Sequence, residues 1–113
     1  MTVDGRETRM AENEALFREV NERVNDLAFV RSTPHDTIYE YLCECANADC
    51  TFRVEVDPSA YEMIRSDPAQ FLVLPNHFTP EIEELVSKHG AYWVVRKTGE
   101  AADYVTHLDP RSR

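Results

Sequence analysis

Glycine is scarce in this sequence, and the few glycines form no recognisable catalytic or phosphate-binding motif. Gly5, Gly90 and Gly99 stand apart among 113 residues, so a phosphate-binding glycine loop and a Gly-x-Ser-x-Gly nucleophile turn are both absent. No stretch approaches the roughly twenty apolar residues that a membrane helix requires. The first ten residues are charged and lack the apolar centre of a signal peptide. We therefore expect a cytoplasmic protein with no membrane partner.

Basic residues are also few relative to acidic ones. Twelve lysines and arginines against 21 aspartates and glutamates give a net charge of −9. A field of this sign repels the phosphate backbone of nucleic acids. The loose basic grouping of Arg96, Lys97, Arg111 and Arg113 has no interleaved aromatic residues to stack on bases. Nucleic acid is therefore not an expected partner.

The cysteines are few in number but closely grouped. All three lie between Cys43 and Cys50, in the pattern Cys-x-Cys-x4-Cys. An odd number of cysteines, two of them one residue apart, fits a disulfide framework poorly. Paired Cys-x-x-Cys knuckles, a stronger zinc signal, are missing from the sequence. The cluster favours a metal site, with buried inert thiols and redox-active thiols as the alternatives.

A tetrahedral zinc site needs a fourth ligand, and His77 is the best candidate. It ends a Pro75-Asn76-His77 turn after a predicted strand, where its imidazole can face a neighbouring hairpin tip. His35, in a loop, ranks second, and Asp49, inside the cysteine loop, ranks third. The predicted site therefore consists of Cys43, Cys45, Cys50 and His77. An iron-sulfur cluster uses similar ligands and is the alternative to zinc.

Apolar residues at helical spacing predict an amphipathic helix from Asn13 to about Phe29. The apolar stripe can pack inside the chain or seal a homodimer. Residues 1–12 contain almost no large apolar side chains and are expected to form a mobile tail. The stripe consists of Leu16, Phe17, Val20, Val24, Leu27 and Ala28. The opposite, polar face contains Arg18, Glu19, Glu22 and Arg23.

The remainder of the chain is predicted to form short strands and helices, with the cysteine loop at the tip of a β-hairpin. Strands are predicted at 38–42, 51–56, 71–75 and 92–95. Helices are predicted at 58–66, 79–90 and 100–108, the first two from their proline and capping signals. These elements form one α+β domain over residues 13–108, followed by a C-terminal tail at 109–113. The domain has a small, mainly antiparallel sheet and is stabilised by zinc.

Several segments of the sequence match a known pattern. They are Asn13-Glu14-Ala15-Leu16, the loop from Cys43-Glu44-Cys45 to Cys50, the run from Phe71 to His77, and Lys97-Thr98-Gly99-Glu100. With these segments the chain resembles a family of small, largely uncharacterised actinobacterial proteins over most of residues 13–110. The resemblance implies a bacterial cytosolic protein in which the three cysteines group with His77, and it implies no reaction.

Two positions depart from the pattern of that family. Asn76 stands where the pattern has glycine, and Phe78 stands where an acidic residue is usual. Asparagine tolerates left-handed backbone, so we expect the turn to be kept. Phe78 is expected to change what packs or binds beside the metal.

The predicted ligand set also bears on function. Three thiolates and one imidazole fill a zinc tetrahedron and leave no position for a reacting water, so a structural role is expected. An interaction or regulatory module, with a protein partner or self-association, is the favoured hypothesis. The alternative is a thiol-based redox or zinc-sensing switch. A small-molecule enzyme, for example with Cys50 as nucleophile and His77 as base, is the least favoured hypothesis.

Overall fold

The computed structural model describes residues 5–30, 38–47, 49–50 and 52–112. The helices are α1 (Gly5–Val30), α2 (Pro58–Arg65) and α3 (Gly99–His107), followed by a 3-10 turn at Pro110–Ser112. The strands are β1 (Tyr39–Leu42), β2 (Arg53–Val56), β3 (Gln70–Val73), β4 (Glu83–His89) and β5 (Tyr92–Lys97). This is the α+β fold that the sequence predicts. Among the described residues, no helix is long and apolar enough to cross a membrane.

The strands form two small antiparallel sheets. In the first sheet β1 pairs with β2, with Tyr39 opposite Val56, and this is the predicted hairpin that carries the cysteine loop. In the second sheet the strand order is β3-β5-β4. The two sheets meet where the backbone N–H of Glu44 donates a hydrogen bond of 2.7 Å to the carbonyl of Leu72. The cysteine loop therefore lies directly beside β3.

The hydrophobic core lies around β3 and the two tyrosines that face it. The side chains of Phe71, Leu72 and Val73 are fully buried, as expected for a strand covered on both faces. The rings of Tyr41 and Tyr61 stack with their centroids 4.7 Å apart. The sequence signal for the start of α2 is confirmed, because the Asp57 side chain accepts a hydrogen bond of 2.7 Å from the N–H of Ala60.

The predicted helix at 79–90 is wrong, because most of that segment forms strand β4. The turn signals are real, since the backbone N–H groups of Ile82 and Glu83 both donate to the carbonyl of Thr79. The chain then extends, because β4 pairs with β5 and places Glu83 opposite Lys97. The carboxylate of Glu83 forms a buried ion pair with the Nζ atom of Lys97 at 2.8 Å. Pairing in the sheet thus overrides the local helix signals.

Both predicted tails contain ordered structure. Helix α1 begins at Gly5 rather than at Asn13, so residues 5–12 belong to the helix. At the other end, Asp109 is buried and forms an ion pair with Arg65 of α2. The guanidinium of Arg111 binds the carboxylates of Glu22 and Glu62. The residues after α3 are therefore held against α1 and α2.

Helix α1 buries several polar side chains and exposes part of its predicted apolar stripe, which is the reverse of the usual orientation. Arg18, predicted on the outer face, is fully buried and donates to the carbonyls of Pro68 and Val105, at 2.5 and 2.9 Å. Leu16 and Leu27, from the predicted apolar stripe, are 58% and 55% exposed. The orientation is favourable because Arg18, Asn21 and Asn25 all form hydrogen bonds inside the protein, which offsets the cost of removing them from water, although the Nε atom of Arg18 has no hydrogen-bond partner among the described residues. The side chain of Ala28, also assigned to the stripe, lies outside the described ones.

Candidate metal centre

The side chains of the predicted ligand set come together in space. Over the described part of the chain, one group of histidine, cysteine and acidic side chains can hold a metal ion. Its ligand atoms all lie within 4.8 Å of one another. The Nδ1 atom of His77 is 3.5 Å from the Sγ atom of Cys43 and 3.8 Å from that of Cys50. The group consists of Cys43, Cys45, Cys50 and His77.

The hairpin β1–β2 positions the cysteines. The N–H of Cys43 donates to the carbonyl of Phe52 at 3.2 Å, so pairing continues past the end of β1. The loop then turns at Asn47, whose carbonyl accepts from the N–H of Cys50 at 3.0 Å. The side chain of Asn47 also accepts from the N–H of Asp49 at 2.9 Å. These bonds fold Cys50 back toward Cys43 and leave Asp49 as an exposed turn residue.

The turn after β3 positions His77. Its N–H donates to the carbonyl of Leu74 at 3.1 Å, and Asn76 has a φ of 69°. This is left-handed backbone, which asparagine adopts more readily than most residues, so Asn76 suits the turn. The Phe52 ring meets the His77 ring edge-on, with centroids 5.8 Å apart. The imidazole is thus fixed against the hairpin that carries the thiols.

A backbone hydrogen bond stabilises one of the sulfurs. The N–H of Leu74 donates to the Sγ atom of Cys43 at 3.2 Å. Outer hydrogen bonds of this kind orient a metal ligand and offset the negative charge that a thiolate brings. The same residue therefore supports both halves of the site, because its carbonyl also holds the backbone of His77.

Glu44, between two of the cysteines, points away from the sulfurs and into the protein. Its carboxylate accepts hydrogen bonds from the Asn21 side chain at 2.8 Å, the Tyr61 hydroxyl at 2.7 Å and the Leu72 N–H at 2.9 Å. Asn21 also pairs with both backbone groups of Leu42, at 2.9 and 2.7 Å. Through Glu44 the cysteine loop is attached to α1, α2 and β3.

The three thiols differ in pKa because they share hydrogen bonds. The bond with Cys43 lowers the pKa of Cys45 to about 5, and the same contact raises the pKa of Cys43. Burial raises the pKa of Cys50. At neutral pH without a metal, Cys45 is therefore the thiolate, and its two neighbours hold protons that a metal ion would displace.

One side of the candidate site is only partly shielded from solvent. Cys43 and Cys45 are buried, whereas Cys50 and His77 are half-buried. A surface cleft of about 270 Å³ adjoins them. Phe78 lines this cleft, as expected from its position after His77. The full lining is Cys45, Asn47, Asn76, His77, Phe78 and Thr79.

The other sequence candidates lie elsewhere or outside the description. His35 falls outside the described residues. His89 lies in β4, where its ring stacks on Tyr92 and its Nε2 atom is 2.8 Å from the Ser87 hydroxyl. His107 occupies the last turn of α3. Sequence reasoning missed Glu44, although an acidic residue between two cysteines was the available signal.

Comparisons with known proteins add nothing to this geometry. No protein-family model matches the chain, and neither a curated protein nor a solved structure matches it. The nature of the site therefore has to be argued from its donor atoms and their arrangement.

Proposed function

We propose that this chain is a small zinc-binding module whose metal site is structural. The observation that carries the proposal is the convergence of four ligand atoms within 4.8 Å, from segments that are 27 residues apart at Cys50 and His77. Three sulfurs and one imidazole nitrogen are a donor set that zinc binds as a closed tetrahedron. Zinc bound there would tie the hairpin tip to the turn after β3.

The closed ligand set supports a structural role over a catalytic one. A catalytic zinc ion keeps a position for water or substrate, and four protein ligands fill all positions of a tetrahedron. The Leu74 N–H bond to Cys43 and the burial of two of the three sulfurs support a stable, enclosed site. The residues proposed to hold the ion are Cys43, Cys45, Cys50 and His77.

Metal analysis of the purified chain tests this proposal. We expect one equivalent of zinc and a colourless protein, because zinc has no visible absorbance, whereas a brown preparation would indicate an iron-sulfur cluster. The variant His77→Ala should lose most of its zinc, and the matched variant His107→Ala, at an exposed position of α3, should keep it. Full zinc content in His77→Ala would contradict the ligand set.

The biological role proposed for the module is interaction or regulation. Two observations support it: the closed donor set, and an exposed apolar stripe on α1 that includes Leu16 and Leu27. Membership of the actinobacterial family and a cytoplasmic location are further parts of the proposal, and both come from the sequence.

A redox or zinc-sensing switch is the second candidate, favoured by the partial exposure of Cys50. Hydrogen peroxide would oxidise the Cys50 thiolate to a sulfenic acid and be reduced to water. The Cys45 thiolate would then attack the sulfenic sulfur and form a disulfide, while the displaced hydroxyl takes a proton from solvent and leaves as water, and this removes two ligands from the zinc. Under this hypothesis peroxide releases zinc, and a dithiol reductant restores binding. Zinc that stays bound until the chain unfolds would contradict it.

A further inference from the structure

The outer face of α1 presents an apolar stripe to solvent. Leu16, Val20 and Leu27 are 58%, 39% and 55% exposed. Their spacings of four and seven residues place them on one side of the helix, together with the exposed Arg23, which lies seven residues after Leu16. Phe17 and Val24 extend the apolar surface on one flank and are half-buried. Apolar surface grouped in this way on a helix marks a site for another molecule.

The opposite face of α1 prevents the stripe from turning inward. Arg18, Asn21 and Asn25 are buried there and bound to the rest of the protein. Asn25 accepts from the Tyr41 hydroxyl at 2.9 Å and donates to the carboxylate of Glu62 at 2.6 Å. Rotating the helix would break these bonds and leave their partners unsatisfied in the core. The exposure of the stripe is therefore fixed by the fold.

An acidic row runs along the other flank of the stripe. Glu12, Glu19 and Asp26 recur every seven residues, which places them in one line along the helix. Glu12, Glu19 and Leu16 line a surface pocket of about 190 Å³, with Ala15 and Leu108. Two carboxylates beside apolar walls fit the cationic end and aliphatic stem of a lysine or arginine side chain.

This charge pattern disfavours a second copy of the chain as the occupant. In an antiparallel pair of α1 helices, the acidic row of one copy lies against the acidic row of the other. In a parallel pair, the acidic row of one copy faces Phe17 and Val24 of the other copy, which carry no charge. The net charge of −9 adds repulsion between copies.

We propose that the outer face of α1 binds an amphipathic helix of a partner protein with an apolar ridge and a flanking row of lysine or arginine. The ridge packs on Leu16, Val20 and Leu27, and the basic row pairs with Glu12, Glu19 and Asp26. The inference rests on the proposed interaction role and names the chemistry of the partner. Leu16, Val20 and Leu27 occupy seam positions of a seven-residue repeat, which is the arrangement that a second helix can match. The exposed Arg23 occupies the seam position between Val20 and Leu27, where its aliphatic stem can pack beside the ridge while its charged end reaches solvent.

Binding of synthetic helical peptides to the zinc-loaded full chain tests the inference. Two labelled peptides share a leucine seam and differ in the flanking row, which is lysine in one and glutamate in the other. We expect the lysine peptide to bind at least about tenfold more tightly, with an affinity that falls as salt increases. Fluorescence anisotropy measures both affinities.

Variants assign the binding to this face. Leu16→Glu and Leu27→Glu should each weaken binding of the lysine peptide about tenfold or more, because they place a charge on the apolar seam. Met63→Glu is the matched control, since Met63 is 75% exposed on α2 and lies off the stripe, and it should bind as the parent does. Glu19→Lys should reduce the preference for the lysine peptide.

Several outcomes would overturn the inference. Equal binding of the two peptides, or no binding of either, would contradict the proposed partner chemistry. A loss of affinity in Met63→Glu as large as that in Leu16→Glu would contradict the assignment to this face. A dimer in sedimentation velocity that Leu16→Glu converts to monomer would assign the face to a second copy instead. Zinc content is measured in every sample. Full zinc without peptide binding refutes this inference alone, whereas a parent chain without zinc refutes the zinc module.

Discussion

At the scale of single residues, Glu44 links the candidate metal ligands to the core. Its carboxylate is completely buried and accepts hydrogen bonds from Asn21, Tyr61 and Leu72. Burial raises the pKa of this carboxyl, and the hydrogen bonds from Leu72, Asn21 and Tyr61 act in the opposite direction. The neighbouring sulfurs can keep their positions because this side chain anchors the backbone between them.

Replacing this carboxylate by an amide should weaken both the fold and the metal site. Glu44→Gln keeps the shape of the side chain, but its NH2 group faces hydrogen-bond donors and leaves at least one of them unsatisfied. We expect the free energy of unfolding of the zinc-loaded protein to fall by about 1–3 kcal/mol. Urea unfolding measures this change, and competition with a chelator should show weaker zinc binding.

The control for this prediction is Glu40→Gln in β1. Glu40 is exposed, so the same chemical change there should alter stability by less than about 0.5 kcal/mol. Equal effects of the two substitutions would show that Glu44 has no special role in holding the loop.

The grouping of the four candidate ligands could be predicted from the sequence, whereas their support could not. Cys43, Cys45, Cys50 and His77 belong to residue types that few other roles explain when they cluster. Glu44 looks like an ordinary exposed acid, because its buried partners lie on α1, α2 and β3, far away in the sequence. The donors that satisfy a buried charge become visible only when the fold is known.

At the scale of elements, a buried lysine joins α1 to the second sheet. Lys97 of β5 forms ion pairs with Glu14 of α1 and with Glu83 of β4, and all three side chains are fully shielded from solvent. Burial raises the pKa of Glu14 well above its usual value, and Lys97 opposes that shift. Two carboxylates thus share one ammonium group inside the protein.

This arrangement should make stability depend on pH through Glu14. Because its pKa is higher in the folded chain than in the unfolded chain, the folded state holds the proton more firmly. The resulting stabilisation is complete below the unfolded pKa and is lost as pH rises through the folded pKa. Glu14→Gln cannot ionise, so its free energy of unfolding relative to the parent should increase as pH rises.

Urea unfolding of zinc-loaded parent and variant, at several values from just above the ordinary glutamate pKa, at about pH 5, up to about pH 8, measures this difference. Glu55→Gln, at an exposed position of β2, is the control and should follow the parent at every pH. A difference between Glu14→Gln and the parent that stays constant or decreases with pH would contradict the raised pKa.

Element types were predictable where local and tertiary preferences agree. The hairpin and α2 follow their turn and capping signals, and α3 follows the helical spacing of its apolar residues. The segment 79–90 has helix signals at both ends. It nevertheless forms an extended strand, because that strand pairs with β5 and brings Glu83 into an ion pair with Lys97. The sequence also did not reveal which face of α1 packs inward. Hydrophobicity alone places Leu16 inside, whereas the buried carbonyl partners of Arg18 cannot be inferred from the spacing of apolar residues.

At the scale of the whole molecule, a hydrogen-bonded junction joins the two small sheets. They meet at Glu44 and Leu72, and the proposed zinc ion lies beside the same junction. A metal that binds the folded chain more tightly than the unfolded chain adds its binding free energy to stability. The zinc-loaded protein should therefore be much more stable than the metal-free protein.

Removal of the metal by a chelator should lower the free energy of unfolding by at least about 3 kcal/mol. Trp93 fluorescence during urea unfolding, with and without chelator, measures the change. In His77→Ala the chelator should have little further effect, because that variant has already lost a ligand. Coincident unfolding curves for metal-free and zinc-loaded parent protein would contradict a stabilising metal.

The alternation of side chains from Cys43 to Cys45 has a consequence for how this loop tolerates change in length. Sulfur, carboxylate and sulfur point in turn to opposite sides of an extended backbone. Inserting one residue after Cys43 would exchange the two sides, sending an acid toward the thiols and a thiol toward Tyr61. The protein should therefore tolerate insertions near Asn47, whereas insertions two or three residues earlier should disrupt the fold of the loop.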